Sequence, residues 1–212
     1  AVLQPNFRGS KGYGRRFEAR GYGEWGKAMQ DDLDDGVKWL VASGQADPAR
    51  VCMVGWSYGG YAAQVASFRN PDLYRCAVSI AGISDLAALL RYDRQWMYGD
   101  NYREWQTQVQ GAADAGQLAE ASSLPRVADI ARPLLLVHGV DDDRVPVAQS
   151  DKLARALEKA GKPFEYVRIE DGDHSLAEAG QRVQLLTALD RFLAQHNPTD
   201  VLRPTAAPLA AR

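Results

Sequence analysis

The sequence lacks any apolar run as long as the roughly 20 residues that a membrane-spanning helix needs. It also lacks an excess of one charge, because 25 basic and 27 acidic side chains leave a formal net charge of −2. This balance argues against nucleic acid or an anionic membrane as the main partner. We therefore expect one folded domain of ordinary composition, with 46% hydrophobic and 25% charged residues among 212.

Cysteine and histidine are both scarce. The two cysteines, Cys52 and Cys76, lie in or at the start of apolar runs, and we expect buried free thiols rather than a disulfide framework. The histidines, His138, His174 and His196, are far apart in the sequence. No Cys/His cluster has metal-ligand spacing, so the sequence predicts no metal site.

The two ends of the sequence carry little information about location. The chain begins Ala-Val-Leu-Gln, without a methionine or a signal peptide, so we expect any targeting segment to lie upstream. The compartment therefore stays open between cytoplasm and periplasm. At the other end, three prolines from Pro198 onward predict a disordered tail over residues 198–212, which leaves residues 1–197 for the domain.

Apolar runs of strand length alternate with segments of helical periodicity. This alternation predicts an α/β fold, with a mainly parallel sheet and helices on both faces. Strands are predicted at 51–54, 76–80, 134–137 and 164–169, with a further short one at 1–6. Helices are predicted at 27–42, 60–68, 151–160 and 181–195, the last with an apolar face at 183, 186, 189 and 192 or 193. Residues 7–26 are predicted to form a loop, and residues 81–123 irregular helices over the site.

Residues 55–60, Gly-Trp-Ser-Tyr-Gly-Gly, stand between a predicted strand and a predicted helix. In that context G-x-S-x-G forms a nucleophile elbow, with the serine Oγ exposed at the carboxyl end of the strand. We expect a strained serine backbone, and flanking glycines that avoid collisions between Cβ atoms and the neighbouring strand and helix. The motif therefore predicts Ser57 as a nucleophile, with a purely structural turn as the alternative.

A nucleophilic serine needs a histidine base, and that base needs a carboxylate to orient it. In α/β hydrolases the chain order is serine, acid, histidine. Here Ser57 is followed by three aspartates at 141–143 and then by His174, each just after a predicted strand. The residues alone leave the choice of aspartate open. His138 precedes the acid, so we predict a turn role for it, while the alternative for His174 is a surface loop.

Taken together, the motifs resemble the catalytic domain of the prolyl oligopeptidase family of serine peptidases, of the acylaminoacyl-peptidase or dipeptidyl-peptidase kind. The residues that carry the resemblance are Asn6-Phe7-Arg8-Gly9-Ser10, Gly12-Tyr13-Gly14, Trp25-Gly26, residues 55–61, residues 133–146 and Asp173-His174. It covers about residues 1–195 and implies an α/β-hydrolase fold. It also implies hydrolysis of short peptides through a Ser–Asp–His triad and an acyl-enzyme, without a metal or organic cofactor.

The resemblance also assigns site residues. It selects Asp142, because the family's acid stands four residues after the histidine of a His-Gly pair, and it makes the Tyr58 N–H an oxyanion donor. It implies that Arg144 binds a substrate carbonyl, with a salt bridge to a neighbouring aspartate as the alternative. For Ile83 and Leu86, the alternative to substrate contact is packing in the apolar core. The residues implied to contact substrate are Arg144, Val145, Ile83, Leu86, Trp56 and Tyr61.

The chain departs from the family pattern at its start. In the family, a second oxyanion donor, a tyrosine hydroxyl, comes from a segment preceding the first residue here, and losing such a donor costs roughly 10²–10³ in rate. We also expect the N-terminal strands of the sheet and a β-propeller domain to lie upstream, with residues 1–6 as the fourth strand. A carboxylesterase or other acyl hydrolase, and an inert fragment or non-catalytic domain, remain alternatives. A homo-oligomer is also left open.

Overall fold

The computed structural model describes residues 1–198, and most of the predicted tail lies outside them. The described residues form four strands, eight α-helices and three short 3-10 helices. The strands are β1 (Cys52–Trp56), β2 (Cys76–Ile80), β3 (Leu134–Gly139) and β4 (Phe164–Ile169). The α-helices are α1 (Arg15–Ala19), α2 (Ala28–Ala42), α3 (Tyr58–Arg69), α4 (Leu86–Asp93), α5 (Gly99–Val109), α6 (Ala115–Glu120), α7 (Ala148–Lys159) and α8 (Ala179–His196). The 3-10 helices are Pro48–Arg50, Pro71–Leu73 and Val127–Asp129.

The four strands form one parallel sheet in the order β1-β2-β3-β4. Helices α3 and α7 each connect neighbouring strands, while α4, α5 and α6 lie between β2 and β3 in the chain. This architecture confirms the α/β prediction. Because the strands are parallel, the segments that follow them all emerge at the same edge of the sheet.

Helices cover both faces of the sheet, as the side-chain pattern of β3 shows. Leu134 and Leu136 belong to one apolar cluster, together with residues of α3 and α7. Leu135 and Val137 belong to a second cluster, together with residues of α8. Successive side chains of a strand point to opposite faces, so a continuous apolar run is what a strand covered on both faces requires.

Strand β1 differs from its prediction. Its run was expected to be buried on both faces, yet Val54 is 45% exposed. The cause is its position, because β1 lies at the end of the strand order and pairs only with β2 among the described strands. Residues 1–6 form no strand, so the prediction for them was wrong.

The buried face of α8 also differs from the expected one. Leu185, Ala188 and Phe192 are buried, whereas Val183 and Leu186 are 62% and 59% exposed. The helix carries two overlapping apolar stripes, and only its packing against β3 and β4 decides which stripe is covered. Neither α8 nor any other helix in residues 1–198 is long and apolar enough to cross a membrane.

The cysteines correct another expectation. Cys52 and Cys76 form a disulfide, so neither is a free thiol. They are register partners on the adjacent strands β1 and β2, which brings their side chains together although they are 24 residues apart in sequence. The sequence predicted both strands but not their pairing register, which is what places the two sulfur atoms side by side.

Candidate active site

Ser57 occupies a strained turn between β1 and α3. Its φ of 56° and ψ of −116° are unusual for a residue with a side chain. A Cβ on Gly55 would lie 2.0 Å from the Gly59 carbonyl oxygen, and one on Gly60 would lie 2.7 Å from that of Ile80. A Cβ on Gly59 would meet nothing within 4 Å. The steric expectation therefore holds for Gly55 and Gly60, while Gly59 has open space.

Tyr58 is the first residue of α3, directly after Ser57. The first N–H groups of a helix have no carbonyl partner within it, so they are free to meet a negative charge at the helix start. The Tyr58 side chain packs between Phe7 and Trp25, at ring-centroid distances of 5.3 and 4.6 Å. Burial raises the pKa of Tyr58 well above its usual range, so the phenol stays neutral. The Tyr58 hydroxyl is buried without a hydrogen-bond partner in residues 1–198, and an oxyanion role for the backbone N–H stays a prediction.

Asp142 and His174 meet on the loops that follow β3 and β4. His174 Nδ1 lies 2.7 Å from Asp142 Oδ2, within hydrogen-bond distance. Asp142 is buried, whereas Asp141 and Asp143 are exposed. The structure therefore brings the candidate histidine to the same aspartate that the family pattern selects.

The Asp142 carboxylate is held by nitrogen donors on both oxygens. Oδ1 accepts from the backbone N–H groups of Arg144 and Val145, at 2.9 and 2.8 Å. Oδ2 lies near His174 and also 3.2 Å from Nε2 of His138, which is buried in β3 rather than in the predicted turn. Burial alone would raise the pKa of Asp142, but bonds from His138, His174 and the Val145 N–H hold that pKa well below its usual range. The acid is therefore ionised at neutral pH.

Trp56 connects the elbow to the histidine loop. Its indole Nε1–H donates to the backbone carbonyl of His174 at 2.8 Å. This bond fixes the loop after β4 against the residue that directly precedes Ser57. Among the described residues the Ser57 hydroxyl makes no hydrogen bond, and catalytic contacts often tighten only when substrate binds. A substrate contact by Trp56 stays a prediction. Because its indole N–H already has a partner, such a contact would be through the ring.

The segment before α4 is tied to α7, and α4 itself is tied to the loop that carries the candidate acid. The Gln149 side-chain oxygen accepts from the backbone N–H groups of Ser84 and Asp85, both at 2.9 Å. The Tyr92 hydroxyl donates to the Asp143 carbonyl at 3.0 Å. A groove of about 170 Å³ lies between these elements. Its lining residues are Asp85, Ala88, Tyr92, Pro146, Ala148, Gln149 and Lys152.

The candidate substrate residues divide into buried and exposed ones. Ile83, Leu86, Val145 and Tyr61 are at most 4% exposed and belong to one apolar cluster. Their role as pocket walls stays a prediction. Arg144 is exposed, and its guanidinium joins no ion pair in residues 1–198, so the alternative of a salt bridge to a neighbouring aspartate is not seen there.

Sequence reasoning missed two contacts around the candidate triad. One is the bond from Trp56 to the carbonyl of His174, and the other is the approach of His138 to Asp142. Position in the chain gave a signal for each, since Trp56 directly precedes the serine and His138 lies four residues before the acid. Neither signal reveals which way a ring nitrogen points.

The sequence model of the prolyl oligopeptidase family of peptidases matches residues 1–198. The chain belongs to the prolyl oligopeptidase family. Dipeptidyl aminopeptidase BIII of Pseudoxanthomonas mexicana is 38% identical over 199 residues, which cover 92% of this chain and 29% of that protein. Dipeptidyl peptidase family member 6 of Caenorhabditis elegans is 34% identical over 200 residues, covering 92% and 27%.

Solved structures agree with this membership. A puromycin-hydrolyzing peptidase of Mycobacterium tuberculosis superimposes with a TM-score of 0.82 at 30% identity, covering 92% of this chain and 29% of that one. The likeness confirms the α/β-hydrolase fold expected of a prolyl oligopeptidase family member. The chain spans less than a third of the length of these relatives.

Proposed function

We propose that this chain carries the nucleophile, base and acid of a serine peptidase that hydrolyses short peptides. The observation that supports this most directly is the 2.7 Å contact between His174 Nδ1 and Asp142 Oδ2, at the sheet edge where β1 presents Ser57. Family membership supports peptide-bond chemistry. The related proteins named as dipeptidyl peptidases, and the one described as hydrolysing puromycin, point to small substrates rather than folded proteins.

The first half of the reaction forms an acyl-enzyme. Ser57 Oγ attacks the substrate carbonyl carbon while His174 Nε2 takes the hydroxyl proton. Asp142 accepts from His174 Nδ1–H, which keeps the ring oriented and stabilises the imidazolium. The carbonyl oxygen becomes an oxyanion that accepts from the Tyr58 N–H. His174 then gives its proton to the leaving amine, the peptide bond breaks, and the acyl group stays on Ser57.

The second half returns the enzyme to its starting state. A water molecule attacks the acyl carbon while His174 takes one of its protons. The second tetrahedral intermediate collapses, His174 returns the proton to Ser57 Oγ, and the product leaves as a carboxylic acid that loses its own proton to solvent. No proton is stored on Asp142 at any step, in agreement with its low pKa.

Arg144 is assigned to substrate recognition. Its guanidinium is exposed, unpaired among the described residues, and two positions beyond the acid. A peptide offers it the carbonyl of the residue preceding the cleaved one, and the planar donors of arginine suit that acceptor. Ile83, Leu86 and Val145 supply apolar surroundings, which favours an apolar residue at the cleaved bond. Trp56 and Tyr61 complete the proposed set.

A fluorophosphonate probe tests the nucleophile in the full 212-residue chain. We expect labelling of the wild-type chain and none of Ser57→Ala, because only an activated serine reacts with the phosphorus centre. Ser43→Ala is the matched control, since Ser43 is an exposed serine at the end of α2, and it should label like the wild type. Absence of labelling in wild-type chain shown by circular dichroism to be folded would contradict the proposal.

The variant Arg144→Met separates a peptidase from an esterase. We expect kcat/KM for a dipeptidyl p-nitroanilide to fall about tenfold, as for the loss of one charged hydrogen bond. Hydrolysis of a short-chain p-nitrophenyl ester should stay unchanged, because a simple ester has no second carbonyl for this residue to bind. Equal losses on both substrates, or activity on the ester alone, would favour the acyl hydrolase.

A further inference from the structure

His138 is a buried histidine that the proposed reaction does not use. It lies near the carboxyl end of β3 and is completely inaccessible to solvent. Its Nδ1 is 2.7 Å from Ser150 Oγ on α7, and its Nε2 is 2.8 Å from the Val145 carbonyl oxygen. The same Nε2 is 3.2 Å from Oδ2 of Asp142. One imidazole ring therefore connects β3, α7 and the loop of the candidate acid.

The contact with Val145 shows which ring nitrogen carries a proton. A carbonyl oxygen only accepts hydrogen bonds, so Nε2 of His138 must be the donor. If the ring is neutral, Nδ1 accepts from the Ser150 hydroxyl, and if it is charged, Nδ1 donates to Ser150. In both states the Nε2–H group donates to the Val145 carbonyl, and Oδ2 of Asp142 is a second, longer contact of the same nitrogen at 3.2 Å.

The carboxylate oxygen that His138 approaches is the one that His174 uses. His174 Nδ1 lies 2.7 Å from Oδ2 of Asp142, and two backbone N–H groups bind Oδ1. Each oxygen thus has two nitrogen neighbours, which leaves the carboxylate little freedom to rotate. Of these neighbours, only His138 is a completely buried side chain anchored on both sides.

We propose that His138 is a positioning residue whose Nε2–H holds Oδ2 of Asp142 in line with Nδ1 of His174. Its effect on turnover rests on the proposed serine peptidase function, whereas its effect on the Asp142–His174 contact does not. A purely structural role would need only the bonds to Ser150 and Val145. What distinguishes positioning is the third contact, whose loss changes the contact between Asp142 and His174 and not only the packing around β3.

Two substitutions separate the Nδ1 side of the ring from the Nε2 side. Asparagine at position 138 places an amide near the position of Nδ1, so His138→Asn keeps a partner for Ser150 but reaches neither Val145 nor Asp142. Glutamine places its amide near the position of Nε2, so His138→Gln keeps a donor toward Val145 and Asp142 and loses Ser150. The two variants have the same chemistry and differ in which side of the ring they replace.

The first measurement is fluorophosphonate labelling of the full chain over a range of probe concentrations. For His138→Asn we expect the maximal labelling rate to fall on the order of tenfold, with the half-saturating probe concentration unchanged. His138→Gln should stay within about twofold of the wild type, because it retains the donor. Equal rates in the two variants would overturn the proposal.

The second measurement does not depend on activity. We expect the proton between His174 Nδ1 and Asp142 Oδ2 to give a low-field NMR resonance, which its loss in His174→Ala would assign. We expect this resonance to shift or broaden in His138→Asn and to persist in His138→Gln. If the wild-type chain is not labelled, the proposed function fails while this resonance still tests the positioning role. An unchanged resonance in folded His138→Asn refutes that role. If His138→Asn does not fold, His138→Met replaces it in both measurements.

Discussion

Replacing Gly55 by alanine tests how the elbow is built. The new Cβ would lie 2.0 Å from the carbonyl oxygen of Gly59, 2.2 Å from its carbonyl carbon and 2.7 Å from its Cα. All three atoms belong to the backbone at the start of α3, so no flexible side chain can move aside. Relief requires the strand end or the first helical turn to shift by about 1 Å, since non-bonded carbon and oxygen atoms rarely approach within 3 Å.

The expected loss of stability in Gly55→Ala follows from this geometry. Overpacking in a well-packed interior costs about 1–3 kcal/mol when side chains can adjust. Here only the backbone can adjust, and Ser57, two residues further along, is already strained at φ 56°. We therefore expect Gly55→Ala to lower the free energy of unfolding by at least about 3 kcal/mol. Urea unfolding followed by tryptophan fluorescence measures this, with five tryptophans as reporters.

Gly59→Ala is the matched control within the same motif. A Cβ at Gly59 meets nothing within 4 Å, and the residue lies in the first turn of α3. Alanine is the better helix former, so we expect the stability to stay constant or rise by up to about 1 kcal/mol. The reasoning is refuted if Gly55→Ala is as stable as the wild type, or if the two variants lose equal stability.

Two further predictions concern stability. The Cys52–Cys76 disulfide closes a loop with a sequence separation of 24, so reduction or a double alanine variant should lower the free energy of unfolding by about 3 kcal/mol. Urea unfolding with and without reductant checks this, and a double variant that still responds to reductant would contradict it. The side-chain bond from Arg8 lowers the pKa of Asp32 from its ordinary 3.8, so Asp32→Asn should cost about 1 kcal/mol at pH 7. A lowered pKa gives stability that is present above the unfolded pKa and is lost as the pH falls through the folded pKa. The difference in free energy of unfolding between the wild type and Asp32→Asn should therefore shrink below about pH 4, which urea unfolding measures. Asp35→Asn, at an exposed position, is the control and should not show the cost of about 1 kcal/mol at pH 7.

The elements could be predicted largely from the sequence, because apolar runs and helical periodicity are local properties. The strands predicted at 76–80 and 164–169 match β2 and β4 at both ends. Strands β1 and β3 each run two residues further than predicted, through Gly-containing pairs that resemble the start of a turn. Register is not local, which is why the disulfide between Cys52 and Cys76 was missed.

The candidate site was predictable in part. Chain order and strand ends placed Ser57 and His174 at one edge of the sheet, but physical reasoning left three aspartates open and only the family resemblance selected Asp142. The structure adds a physical criterion, because Asp142 is the buried member of the three. His138 approaches this acid because Ser150 holds one side of its ring and the Val145 carbonyl, just after the acid, holds the other. No rule based on sequence spacing predicts these two contacts.

The edge position of β1 has a consequence for how the isolated chain behaves at high concentration. Its outer side presents backbone N–H and C=O groups with no partner strand in residues 1–198, beside the exposed Val54. Proteins protect such edges with charges, proline or bulges. The opposite edge strand, β4, carries Glu165 and Arg168, whereas β1 has no charged residue or proline. Among the described strands, we therefore expect β1 to be the edge at which strands from other molecules add first as the concentration rises.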